Sequence, residues 1–162
     1  ADGRILSITK STPPINTGLE GEEWTKISIF MNVFDVHVNR APMEGKIINK
    51  TYFPGSFLDA SLDKASEKNE RLSLTMQTTY GKDIAFVQIA GLIARRILCD
   101  VSIGSELKQG EQYGIIRFGS RVDVWLPNPI SPQVIVGQRT YAGETILADF
   151  RSSDEPYQVR IQ

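Results

Sequence analysis

The chain has one histidine and one cysteine in 162 residues. A lone cysteine excludes an intrachain disulfide and any multi-cysteine metal site. A lone histidine excludes a multi-histidine zinc centre, so no metal is expected. An excess of one charge is also missing: 18 basic and 19 acidic side chains leave a formal net charge of −1. That balance gives no electrostatic basis for binding nucleic acid. No apolar run approaches the roughly 20 residues needed to cross a bilayer as a helix, and no signal-peptide pattern is visible. The chain opens on Ala1-Asp2-Gly3-Arg4 without an initiator methionine. The expectation is that upstream sequence, a membrane anchor included, lies outside it.

What is present reads as one β-rich domain over residues 1–162. Short runs rich in Ile, Val, Thr and Phe are separated by Gly, Pro and Asn signals. The spacing predicts strands over Arg4–Ile8, Thr25–Met31, Lys46–Asn49, Leu72–Thr79, Ile84–Ile89, Ile97–Val101, Tyr113–Arg117, Val122–Leu126, Gln133–Val136 and Thr145–Ala148. Alternation in Leu72-Ser73-Leu74-Thr75-Met76-Gln77-Thr78 gives that strand one wet face. Phe57–Arg71 is the best short helix, although its second half reads equally as a charged loop. The fold class is mainly β, a sandwich or barrel. A repeat is visible as well. Val101-Ser102-Ile103-Gly104 is followed by Gly110-Glu111, and Val134-Ile135-Val136-Gly137 by Gly143-Glu144. This resembles the duplicated hammerhead turns of barrel-sandwich hybrids, and turn chemistry common to β proteins would give the same pattern.

Three groups carry chemistry. Gly119-Ser120 lies in YGIIRFGSRVDVWLP, His37 in FDVHVNRAP, and Asp2 at the opening turn. A carboxylate, an imidazole and a hydroxyl are the parts of a hydroxyl-activating triad. Glycine before the serine leaves the preceding carbonyl uncrowded, so the nucleophile can be aimed at its own backbone. Arg40 and Arg121 are candidates to pair with a phosphate or carboxylate oxygen. Each also has a plain structural reading: a structural histidine, an Asx turn at Asp2-Gly3, a hairpin serine, a paired arginine. Asp35 reads as a turn cap or as an orienting group. Cys99 reads as a small buried hydrophobe, and Asn69-Glu70-Arg71 as a solvated loop. The aromatic loop Tyr52–Leu58 covers a site, touches lipid or packs on the body.

Five ordered motifs settle between these readings. They are ADGRI (1–5), FMNVFDVHVNRAPMEGKI (30–47), YFPGSFLDASLDKASEKNERL (52–72), VQIAGLIARRI (87–97) and YGIIRFGSRVDVWLP (113–127), and the tail VGQRTYAGETILA (136–148) also fits. Together they resemble the phosphatidylserine decarboxylase family in its short bacterial and archaeal form. The resemblance implies a self-processing proenzyme cut between Gly119 and Ser120. Its β chain would be 1–119 and its α chain 120–162, with Ser120 converted to a covalent pyruvoyl cofactor. It implies that Asp2, His37 and Ser120 form the processing triad, and that the substrate is a serine phospholipid losing carbon dioxide at the cytoplasmic face of a membrane. A homodimer is the expected assembly, with Ile84–Ile97 offering apolar surface for a partner copy or for lipid. Two departures stand out: Phe118 and Arg121 flank the Gly-Ser pair where longer relatives have Leu and Thr, and Asn39-Arg40 occupies the region of their second histidine.

Other classes fit less well. Archaetidylserine, another serine-headed lipid, is a near alternative substrate. A non-enzymatic barrel-sandwich carrier needs a modifiable lysine at a hairpin tip, and Met43-Glu44-Gly45-Lys46 has the wrong spacing. A metallopeptidase or sugar-transport phosphocarrier needs two histidines.

Overall fold

The computed structural model describes residues 1–21, 23–93 and 96–151. Eleven strands occur among them: β1 (Gly3–Ser11), β2 (Trp24–Met31), β3 (Val38–Arg40), β4 (Gly45–Phe53), β5 (Arg71–Thr78), β6 (Asp83–Ile89), β7 (Ile97–Cys99), β8 (Glu106–Leu107), β9 (Gln112–Ile116), β10 (Ser120–Pro127) and β11 (Arg139–Thr140). Eight form one antiparallel sheet in the order β11-β1-β2-β10-β6-β5-β4-β8, and three form a second sheet, β3-β9-β7. The mainly β architecture expected from the sequence is what the chain adopts.

Alternation sorts the large sheet into two apolar layers, because successive side chains on a strand point to opposite faces. Ile27, Ile29, Met31, Leu74, Met76, Ile84, Phe86, Val122, Val124 and Leu126 share one buried cluster with Ile5 and Ile47. Strands from both ends of the sheet thus pack into a single interior, as in a curled sheet. Phe86 and Tyr113, with ring centroids 4.9 Å apart, pack the second sheet against the first. On the other face, Ala85, Val87, Ile89 and Trp125 are covered by Leu19 and Ala65.

The repeat is structural. Gly104 N–H donates to the Ile47 carbonyl and Gly137 N–H to the Ile5 carbonyl, both at 2.8 Å. Ile47 N–H in turn donates to Ser105, and Ile5 N–H to Gln138, both at 2.9 Å. Each returning segment adds a two-residue strand, β8 on β4 and β11 on β1. A register shift follows at the same place in each unit, between Ile47 and Asn49 and between Ile5 and Ser7. The halves β8-β4-β5-β6 and β11-β1-β2-β10 are therefore copies of one motif, joined where β6 pairs with β10.

Several expected elements differ. The helix is a single turn, Ala65–Lys68 (α1). Pro54 and Gly55 break the chain upstream, and the Asp59 carboxylate turns it by accepting the Ser61 N–H at 2.9 Å. Gln133–Val136 and Thr145–Ala148 are not strands. The Ile135 N–H bonds to the Gln138 side chain, Gly137 takes a φ of 85°, and only a bridge between Pro132 and Ala148 survives. Cys99 is half-buried rather than enclosed. The segment Ile84–Ile89 lies in the centre of the large sheet, so among the described residues of the expected apolar surface only Leu92 and Ile93 are exposed hydrophobics. Residues 152–162, the end of the expected second chain, lie outside the described residues.

Candidate active site

Two connections run side by side between the sheets. Residues 32–37 leave β2 and lead into β3, and residues 117–119 leave β9 and lead into β10. Because β2 pairs with β10 and β3 pairs with β9, the two connections must lie together. One carries His37 and the other Gly119-Ser120. The Ile116 N–H donates to the His37 carbonyl at 3.2 Å, and the Phe118 ring meets the imidazole edge-on at a centroid distance of 5.2 Å. The topology thus brings His37 and Ser120 into one neighbourhood.

Ser120 opens β10 opposite Met31 and is fully buried. By the period of two it faces inward with Val122 and Val124. Gln88, opposite Val122 on β6, is its diagonal neighbour on that face. The Gln88 Nε2 donates to Asn39 Oδ1 at 2.8 Å, and Asn39 Nδ2 reaches Met31 Sδ at 3.6 Å. Among the described residues, three buried atoms here have no partner: Ser120 Oγ, His37 Nε2 and Gln88 Oε1. Unpartnered buried polar atoms are rare and costly in folded proteins. Ser28 Oγ and Ser73 Oγ are unpartnered too, but three on adjoining elements, including a hydroxyl and an imidazole nitrogen, single out this end of the fold as the candidate site.

Gly119 supplies the local bend. Its φ is 68°, a left-handed value that favours glycine. The bend turns the chain from the exposed Phe118 into the buried start of β10.

The remaining expected residues take other places. The Asp2 carboxylate accepts the Ala142 N–H at 2.6 Å and so ties the 141–145 turn to the start of β1. Among the described residues no hydrogen bond or ion pair joins Asp2 to His37. Asp35 is buried, caps its own turn by accepting the Asn32 N–H at 2.8 Å, and pairs with Arg139 of β11. That pair fixes the His37 connection to the edge of the large sheet. Arg40 is exposed and donates to the Gly110 carbonyl at 2.9 Å. It stands at the rim of a cavity of about 380 Å³ whose walls include Ile29, Phe86, Val122 and Leu126.

Arg121 differs most from its expected substrate role. It is 1% exposed and points to the outer face of the sheet. Nε and Nη2 grip both oxygens of Asp123 at 2.7 and 2.9 Å, while Nη1 donates to the carbonyls of Ala60 and Leu62. Its donors are thus engaged by the protein itself. Losing one partner of such a pair strands a buried charge, at a cost of about 3–5 kcal/mol.

Sequence reasoning missed three residues. Gln88 was detectable as a lone amide in an apolar strand, VQIAG. Asn39 sits in a three-residue strand too short to show a face. Asn69 read as a solvated loop but is fully buried, and its side chain bonds to both backbone groups of Leu58 and to the Ala90 carbonyl.

The end of the molecule that holds Ser120 is also apolar at its surface. Phe34 is 93% exposed, and Val36, Leu58, Leu62, Leu92, Ile93 and Phe118 are exposed around it. They lie on the loops beside the entry to β10, the ends of β2 and β6 and the approach to β5. Among the described residues no helix is long and apolar enough to cross a membrane, and no cluster of His, Cys, Asp and Glu is arranged to hold a metal ion.

The profile of the family described as phosphatidylserine decarboxylase matches residues 1–148. The phosphatidylserine decarboxylase proenzyme of Rickettsia bellii (strain OSU 85-389) is 57% identical over 150 residues, which cover 93% of this chain and 65% of the relative. The proenzyme of Paramagnetospirillum magneticum is 49% identical over 162 residues, covering 100% of this chain and 68% of the relative. The chain thus spans about 65% of the length of the Rickettsia relatives it matches.

Proposed function

Since the chain belongs to the phosphatidylserine decarboxylase family, we propose that it cuts itself between Gly119 and Ser120 and then decarboxylates phosphatidylserine to phosphatidylethanolamine. The observation that carries this reading is the buried, partnerless Ser120 hydroxyl, preceded by a left-handed glycine and held beside the chain's single imidazole.

The steps follow from the groups present. His37 Nε2, which has no hydrogen-bond partner, accepts the Ser120 hydroxyl proton. The alkoxide attacks the Gly119 carbonyl carbon. The C–N bond breaks, the proton passes to the departing nitrogen, and an ester replaces the amide. Loss of the residue-120 α-proton expels Gly119 as a carboxylate and leaves a dehydroalanine. Tautomerisation and addition of one water release ammonia and leave a ketone at position 120. The residues fit such a group: a side chain of serine size, fully buried at a strand entry, beside the unpartnered Gln88 Oε1. The pyruvoyl group supplies an electron sink for the pair left behind when the head-group carboxylate departs. Around it, Asn39 holds the Gln88 amide in place. Arg40, exposed and lining the cavity beside Asn39, is the cation assigned here to the lipid phosphate.

Intact mass under denaturing conditions tests the reading. The expected result is two fragments, residues 1–119 and 120–162, the second reacting with a carbonyl reagent and the mixture releasing carbon dioxide from phosphatidylserine. A single unmodified chain of 18.1 kDa, inert to that reagent, would refute it.

A lipid substrate requires the site to meet a membrane, and the apolar rim supports that partner. Burying a phenylalanine contributes about 1.5–3 kcal/mol. Phe34→Asp is therefore expected to weaken binding to phosphatidylserine–phosphatidylcholine vesicles by roughly tenfold or more, with self-cleavage unchanged. Vesicle flotation at equal protein concentration measures it, and equal binding by both proteins would remove the rim from the membrane contact.

A further inference from the structure

The carbonyl that must be attacked rests on another glycine. A Cβ built on Gly91 would lie 2.8 Å from the Gly119 carbonyl carbon and nearer still to its oxygen. It would also lie 3.2 Å from the Ala60 Cβ. Gly119 itself shows the opposite pattern, with open space where its own Cβ would stand. Its requirement is conformational, whereas that of Gly91 is steric and directed at the bond to be broken.

The surroundings hold this contact from two sides. The Ala90 carbonyl accepts from Asn69 Nδ2 at 2.8 Å, and the Ala90 N–H donates to the Glu70 carbonyl at 2.9 Å. Asn69 also grips Leu58 at both backbone groups. Arg121, braced by Asp123, donates to the carbonyls of Ala60 and Leu62. Two buried polar side chains from different parts of the chain therefore fix the segments on which the Gly119 carbonyl lies.

We propose that Gly91 is a positioning residue for self-cleavage: its bare Cα, walled by Ala60, is the seat that orients the Gly119 carbonyl toward the Ser120 hydroxyl. The proposal rests on the self-cleavage reading above. Any side chain at position 91 must push the carbonyl off its seat, and a misplacement of about 1 Å can cost roughly 100-fold in rate. Asn69 and Arg121 act at one remove, by holding the seat.

Gly91→Ala tests it, with Gly45→Ala as a matched insult. A Cβ at Gly45 would lie 2.9 Å from Met76 Cγ and Thr78 Cα, at the opposite end of β4 and β5. The cut fraction is followed by intact mass in the folded, soluble protein of each variant. Hydroxylamine, which cleaves an ester but not the amide, reports whether attack has occurred. The expected result is normal cutting in wild type and in Gly45→Ala. Folded Gly91→Ala should cut about 100-fold more slowly and release no fragment with hydroxylamine. Cutting at the wild-type rate, or accumulation of a hydroxylamine-sensitive ester, would overturn the proposal. Failure of the self-cleavage reading is distinguishable, because wild type itself would then stay whole. If Gly91→Ala does not fold, nuclear magnetic resonance on the uncut Ser120→Ala protein decides. The carbonyl oxygen that faces Gly91 has the residue-120 Cα on its own side. A through-space contact between the Gly91 α-protons and the residue-120 α-proton is therefore expected, and its absence overturns the seat.

Discussion

Ser120→Ala should leave the chain whole, without a carbonyl-reactive group and without any carbon dioxide release. The expectation is total loss rather than a reduced rate, because the same oxygen is both the nucleophile of the cut and the precursor of the ketone. Alanine has no oxygen to attack the Gly119 carbonyl. The variant is also informative about stability. Removing a hydroxyl that has hydrogen-bond partners weakens a fold, whereas removing a buried, unpartnered one is neutral or favourable. Ser120 Oγ is of the second kind. The variant should therefore melt at or above the temperature of a wild-type chain held uncut. Intact mass, a carbonyl reagent and a thermal melt measure all three effects together. A Ser120→Ala protein that is cut or releases carbon dioxide would rule out this hydroxyl as the nucleophile and as the source of the ketone.

His37→Gln should fold and cut itself some 10²–10⁴-fold more slowly, the usual contribution of a positioned acid–base group. Glutamine keeps length and polarity but has no basic nitrogen. The His37 backbone is held independently of its ring, through the Ile116 N–H and the nearby Asp35–Arg139 pair. The loop should thus stay in place when the ring is lost. The residual rate should climb with pH as hydroxide replaces the missing base. A time course of intact mass at several pH values reads this directly, and wild-type speed at every pH would show that the imidazole takes no part.

Much of the large sheet was legible because its strands are long enough to declare a face. Leu72 to Thr78 alternates, and β5 forms over that run, but the expected wet face is not there. Ser73, Thr75 and Thr78 are buried and of the polar face only Gln77 is exposed, because the sheet is covered on both sides. The short elements were not legible. Strands β3, β8 and β11 have two or three residues each, fewer than any period needs. Gln133–Val136 has strand composition, but Pro132 and the turn at Gly137 leave it almost nothing to pair with. At the site, Ser120 and His37 were visible as residue types within motifs. Their meeting was not, since it depends on β2 pairing with β10 while β3 pairs with β9. Arg121 reads in sequence as a free cation beside the reactive serine. Only the alternation along β10 shows it turned to the far side, two residues from the carboxylate that holds it.

The duplicated motif has a consequence for a chain opened at Gly119. The break falls at the mouth of β10, which is clasped by β2 along its whole length and by β6 from Arg121 to Trp125. The shorter piece therefore begins inside the seam between the two copies and cannot leave without tearing that seam apart. Before the break, loss and recovery of the fold concern a single molecule. Afterwards two molecules must find each other again, so recovery from denaturation becomes dependent on protein concentration. Maturation at this bond would act as a ratchet: the chain assembles once as a whole, and the cut pieces stay together only for as long as the shared seam remains closed.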